Sequence, residues 1–290
     1  MQFQGCFVAI VTPFREGEVD EEALRKLIQF CLEKGVNGIV PCGTTGESPT
    51  LSFAEHKRVI EITIEEVKGK VPVIAGTGSN NTSEAEELTE YARKIGADAA
   101  LVITPYYNKP TPRGMEAHFS KIEAIGLPVI IYNVPSRTGV SIPPATVAKL
   151  SKLKNIVGIK EASGSMDQVS SIISLSEPGF GILSGDDSLT LPILSLGGSG
   201  VISVVANIIP QEITRMIEAY LEGNVEKARE LHYKTYPLCR AMFIETNPLP
   251  VKTALARLGM VKKEWRLPLD GMRKENEERL EKALTDYGLI

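Results

Sequence analysis

The chain has 290 residues, 43% of them apolar, and a formal net charge of −4. That length holds one large α/β domain or two small ones, with ample apolar content for a buried core. Interspersed charges leave no basic footprint for nucleic acid or an anionic membrane, and no apolar stretch approaches the about 18 residues that a bilayer span needs.

Met1-Gln2-Phe3-Gln4-Gly5 lacks the charged start of a leader, so a soluble cytoplasmic protein is expected. Short apolar runs rich in β-branched residues predict strands at 7–11, 38–41, 71–75, 99–103, 128–132, 156–160, 181–183 and 200–205. Helical patterns fall between them at 21–34, 53–67, 84–95 and 113–124. Ser52 with Glu55, Ser83 with Glu86, and Ser165 with Gln168 fit capping-box spacing. From Pro210 onward strand patterns stop, and 211–221, 225–236, 250–258 and 273–283 read as helices. Eight strands alternating with helices predict an α/β fold of the (β/α)8 TIM-barrel type rather than an open doubly wound sheet. No Gly-x-Gly-x-x-Gly opens a helix after the first strand, which weakens a dinucleotide-binding alternative. The expected organisation is a catalytic barrel over 1–224 and an all-helical C-terminal extension over 225–290.

Cys6, Cys31, Cys42 and Cys239 form no Cys-x-x-Cys pair and read as reduced and structural. His56, His118 and His232 are dispersed and show no metal-ligand spacing, so no metal site is expected.

In a barrel of this type chemistry sits where strands run into their following loops. Those ends carry 43–48 (Gly-Thr-Thr-Gly-Glu-Ser), 76–80, 104–108, 132–139, Lys160-Glu161 and 184–187 (Ser-Gly-Asp-Asp). Lys160 closes an apolar run. Period-two alternation puts Ile156, Gly158 and Lys160 on one face, and Gly158, lacking a side chain, leaves room beside the lysine stem. An ammonium held there is poorly solvated, which favours the neutral, nucleophilic amine; a plain surface lysine is the commoner fate. Thr44 and Thr45 offer two hydroxyls and closely spaced amides that suit a carboxylate, or form an ordinary polar turn. Tyr132 is either a core aromatic or a phenol that shuttles protons. Arg137 is either a solvated charge or a fork for a substrate carboxylate. Glu161, on the opposite face from Lys160, reads as structural, and the glycines at 197–200 as turns or a phosphate cup.

Gly43-Thr44-Thr45-Gly46-Glu47, Thr104-Pro105-Tyr106-Tyr107-Asn108-Lys109-Pro110, Tyr132-Asn133-Val134-Pro135-Ser136-Arg137-Thr138-Gly139 and Gly158-Ile159-Lys160-Glu161 strongly resemble the dihydrodipicolinate synthase family. Ser184-Gly185-Asp186-Asp187, Gly200-Val201-Ile202-Ser203 and Glu245-Thr246-Asn247-Pro248 extend the match over nearly the whole chain. The resemblance implies condensation of pyruvate with L-aspartate 4-semialdehyde through an imine on Lys160, with no organic cofactor or metal. By the same resemblance Thr44, Tyr132 and Tyr107 form a proton relay, with Tyr107 contributed by a neighbouring subunit. Thr45 holds the pyruvate carboxylate, Arg137 that of the semialdehyde, and the Gly185 and Ile202 carbonyls line the pocket. It further implies a homotetramer of two tight dimers and an L-lysine site at the dimer interface, matched by Ser48, Pro49, Phe53, His56, Asn80, Glu84 and Tyr106. Phe53 stands where lysine-sensitive members often carry histidine, which puts that inhibition in question. A related aldolase acting on a sugar acid such as N-acetylneuraminate or a 2-keto-3-deoxy acid is the nearest alternative, disfavoured by Arg137 and the double threonine. A non-enzymatic carboxylate receptor is disfavoured by the full set Lys160, Tyr132, Tyr107 and Thr44.

Overall fold

The computed structural model describes residues 3–290. Eight parallel strands run β1 (Gly5–Ala9), β2 (Gly38–Val40), β3 (Ile74–Gly76), β4 (Ala99–Ile103), β5 (Val129–Asn133), β6 (Ile156–Glu161), β7 (Gly181–Ser184) and β8 (Gly200–Ser203). They hydrogen-bond in the order β2-β1-β8-β7-β6-β5-β4-β3. A bridge between Ile39 and Val73 closes the ring, and the Gly76 amide donates to the Pro41 carbonyl at 2.9 Å. The barrel expected from the alternation is therefore present, and the Ile39–Val73 bridge joins the two end strands of the eight-stranded sheet.

Helices α1 (Glu21–Glu33), α2 (Phe53–Val67), α3 (Thr82–Lys94), α4 (Pro112–Glu123), α5 (Pro144–Leu150), α6 (Met166–Leu175), α7 (Thr190–Ser195) and α8 (Pro210–Leu221) follow the strands in turn. A small hairpin, Phe14–Arg15 with Glu18–Val19, follows β1. Three more helices, α9 (Val225–Ala241), α10 (Leu249–Arg257) and α11 (Lys274–Tyr287), lie beyond. Among the described residues no helix is long and apolar enough to cross a membrane.

The capping box at Ser52 and Glu55 is complete in both directions, and Ser165 caps α6 by accepting from the Gln168 amide. The box expected at Ser83 does not start α3. Asn81 takes that place, its side-chain oxygen accepting from both the amide and the hydroxyl of Ser83, because an Asx side chain reaches the amide two residues on. Strand β1 lies two residues earlier than its apolar run suggests, and β3 starts later than expected.

Two apolar layers make the core. The outer layer packs helices on the barrel; the inner one fills its lumen with Phe7, Val40, Leu101, Ile130, Leu183 and Ile202. Strand β6 does not alternate evenly. Val129 pairs with Ile156 but its successor Ile130 pairs with Gly158, so Val157 is an inserted residue. This bulge puts Ile156 in the outer layer with Ile159, while Val157 packs inward. Ile156 and Lys160 thus occupy opposite faces, contrary to strict alternation, because one extra residue reverses the pleat.

Candidate active site

Past the bulge, register places Lys160 between Tyr132 of β5 and Leu183 of β7, both inner-layer residues. Lys160 is 5% exposed, and its Nζ stands 4.2 Å above the centroid of the Tyr132 ring. The room for its stem comes from Gly185. A Cβ there would lie 3.1 Å from Lys160 Cε and 2.6 Å from the Ala162 Cβ. Gly158 plays a different part, since a Cβ on it would meet the Gly181 carbonyl oxygen at 2.5 Å and force β6 from β7. Glu161 turns outward as expected: it is buried, with Oε2 accepting from Asn133 at 2.9 Å and Gln168 at 3.1 Å.

The loop after β2 is held tightly. The amides of Gly46 and Ser48 donate to the Gly43 carbonyl and that of Glu47 to Thr44. Glu47 takes a left-handed φ of 53°, which non-glycine residues keep only when their surroundings hold them there. Here a fully buried ion pair does so, with Lys252 Nζ of α10 2.5 Å from Glu47 Oε1. Burial pushes the Lys252 ammonium down from its ordinary range while Glu47 beside it pulls it up. The neighbouring Thr45 is buried, and its Oγ1 accepts from Asn247 Nδ2 at 3.0 Å. Arg137 projects from the one-turn helix Pro135–Thr138 and donates through Nη2 to the Asn247 carbonyl at 3.0 Å.

These groups share a cavity of about 190 Å³ lined by Lys160, Tyr132, Thr44, Thr45, Arg137, Gly185, Ser136, Asp186, Phe243 and Asn247, among others. Ile202 is not on that lining; it packs in the inner layer, while Val204 reaches the cavity. Tyr107 touches neither this cavity nor the next. It is 89% exposed with φ 69°, so within one chain it does not join Thr44 and Tyr132. A larger cavity of about 350 Å³ adjoins through Thr44, Tyr132 and Arg137 and gathers Ser48, Pro49, Phe53, His56, Glu84 and Tyr106. Asn80 is off its lining, its carbonyl accepting from Asn108 at 2.8 Å. His56 is buried with Nε2 2.7 Å from the Gly76 carbonyl, and burial pushes its pKa down.

Sequence reasoning gave no role to Asn247, Asp186, Phe243 or Lys252, though Asp186 lies in the strand-end stretch 184–187. Asn247 lies in a motif noted for its resemblance only, and its link to Thr45 spans 202 positions. Asp187, beside Asp186, is buried and holds the end of β8. Its Oδ2 accepts from the amides of Val204 and Val205 at 3.0 Å each, and burial raises its pKa.

Fold and cavity together define a (β/α)8-barrel enzyme. A sequence model of the Dihydrodipicolinate synthetase family matches residues 2–287. The 4-hydroxy-tetrahydrodipicolinate synthase of Syntrophus aciditrophicus is 56% identical over 99% of both chains. The crystal structure of the chloride-inhibited dihydrodipicolinate synthase from Acinetobacter baumannii complexed with pyruvate superimposes with a TM-score of 0.97 at 43% identity, covering 99% of this chain and 100% of that one. That of the Cyanidioschyzon merolae enzyme with lysine bound gives 0.96 at 42% identity and 99% coverage of each. The chain belongs to the dihydrodipicolinate synthetase family and is an enzyme of the lyase class.

Proposed function

We propose that the chain condenses pyruvate with L-aspartate 4-semialdehyde to give 4-hydroxy-tetrahydrodipicolinate, in lysine biosynthesis, with Lys160 as the covalent nucleophile. The observation that carries this reading is the Lys160 amine, buried beside the Tyr132 phenol in a cavity that also holds Thr44, Thr45 and Arg137. The neutral amine adds to the pyruvate ketone. The carbinolamine hydroxyl takes a proton and leaves as water, giving an iminium. This draws electrons from the methyl carbon, which loses a proton to become an enamine and attacks the aldehyde carbon. The substrate amine then adds to the imine carbon, closing the ring and releasing Lys160. The imine is itself the electron sink, so the reading requires no metal or organic cofactor.

Tyr132 and Thr44 move protons in this reading, Thr45 holds the pyruvate carboxylate, and Arg137 that of the semialdehyde. Gly185, on the cavity wall, flanks the adduct. Tyr107 completes the relay from a second copy; its near-full exposure in a left-handed turn supports this and fits a homotetramer of paired dimers. The larger cavity, with Ser48, His56, Glu84 and Tyr106 on its wall and Asn80 near it, is the reading's L-lysine site; the lysine-bound relative supports it. The same reading takes the enzyme to be cytoplasmic.

Borohydride reduction in the presence of pyruvate, followed by peptide mass mapping, tests the central claim. The pyruvyl mass belongs on Lys160 in the parent and nowhere in Lys160→Ala. A parent left unmodified, or turnover of N-acetylneuraminate in place of the semialdehyde, refutes the assignment.

A further inference from the structure

We propose that Asn247 is a positioning residue that fixes the direction of the Thr45 hydroxyl proton, making Thr45 a donor to the carboxylate of the keto-acid substrate. The inference rests on the reading that this acid binds beside Lys160. A threonine hydroxyl has one proton and two lone pairs. Asn247 Nδ2 engages one lone pair at 3.0 Å, so the proton must point elsewhere. Among the described residues it has no acceptor, and Thr45 lines the cavity that contains the Lys160 amine. A buried donor without a partner is costly; here it is held ready for an anion. Were the amide reversed, its oxygen would take that proton and the hydroxyl could offer the substrate only lone pairs, which repel a carboxylate.

Asn247 is itself only 5% exposed, and its two ends act separately. The side chain reaches Thr45, while the main-chain carbonyl accepts from Arg137 at 3.0 Å. Replacing the side chain therefore removes the constraint on Thr45 and spares the anchor of Arg137. A residue of purely structural importance would give no such split between the two substrates.

The experiment compares Asn247→Ala, Asn247→Asp, Thr45→Val and the double variant Thr45→Val/Asn247→Ala in the full-length enzyme. Asn247→Ala should raise the KM for pyruvate about tenfold, the scale of one net hydrogen bond, and leave that for the semialdehyde within about twofold. Asn247→Asp should be worse, because its carboxylate accepts the Thr45 proton. In the Thr45→Val background the alanine change should add nothing to the pyruvate KM, since the cycle isolates the pair. Independent, additive effects, or equal loss for both substrates, would overturn the proposal. If Asn247→Ala does not fold, Asn247→Ser replaces it, and failure of both to fold assigns Asn247 to structure and overturns the proposal as well. Borohydride trapping of the parent keeps the two claims apart: an untrapped parent sinks the pyruvate reading, whereas a trapped parent with an unchanged Asn247→Ala pyruvate KM sinks this one.

Discussion

Replacing Lys252 by methionine removes one member of the Glu47–Lys252 pair while nearly preserving volume. Both side chains are fully buried, so the glutamate loses its counter-charge out of reach of water. Among the described residues its carboxylate has one other partner, the Arg266 amide, at 3.3 Å. Breaking a buried pair on one side costs about 3–5 kcal/mol, whereas removing both charges is often neutral. Unfolding entropy of about 2.1 cal/mol/K per residue gives about 0.6 kcal/mol/K for a chain of this length, so the melting temperature should fall by about 5–8 °C. Glu47 also ends the loop that carries Thr44 and Thr45, and displacement of catalytic groups by about 1 Å costs on the order of 100-fold in rate. Differential scanning calorimetry at fixed protein concentration and steady-state kinetics read the two effects. Adding Glu47→Gln to Lys252→Met should recover much of the lost stability. An unchanged melting temperature and full activity in Lys252→Met, or a double variant less stable than the single, would refute the reasoning.

Gly185→Ala should displace the Lys160 stem, since the new methyl would stand 2.6 Å from the Ala162 Cβ and 3.1 Å from Lys160 Cε. Overpacking of this kind costs about 1–3 kcal/mol, and the rate of imine formation with pyruvate should drop on the order of 100-fold; a parental rate contradicts the placement. Tyr107→Phe mixed with Lys160→Ala should regain part of the activity that each lacks alone, because a hybrid oligomer holds sites with both residues intact, and subunit-mixing assays showing no recovery place Tyr107 within its own chain. The Arg266 guanidinium beside Glu55 holds its carboxyl at about 2, below the ordinary 4.5. A carboxyl depressed on folding adds stability above the higher value and loses it as pH falls through the lower. Urea midpoints should therefore decline between about pH 4.5 and 2 in the parent, and less steeply in Arg266→Gln; parallel slopes refute the link.

Local signals carried much of this architecture. Apolar runs of three to six residues marked all eight strands, and the Ser52–Glu55 box marked the start of α2, because pleat and cap are properties of adjacent residues. Helices α5 and α7, of seven and six residues, are too short to show a period. The Val157 insertion is invisible in the sequence for another reason: a bulge is defined by the partner strand, and Gly158, which reads as open space by residue type, is packed against the Gly181 backbone. Lys160, Tyr132, Thr44, Thr45 and Arg137 announced themselves by type and position at strand ends, and they do converge. What holds them does not announce itself. Asn247 and Lys252 reach Thr45 and Glu47 across 202 and 205 positions, a proximity set by tertiary packing alone.

The anchoring of the β2 loop from the far end of the polypeptide has a consequence for biosynthesis. A ribosome makes the eight strands first, and nascent domains begin to fold from the N-terminus. A chain halted before Asn247 and Lys252 can close its ring of strands, yet Glu47 then sits without its cation and Thr45 without its amide. Catalytic competence should therefore arrive late in translation and abruptly, so arrested nascent chains ending before residue 247 should resist protease as a barrel while leaving pyruvate untouched.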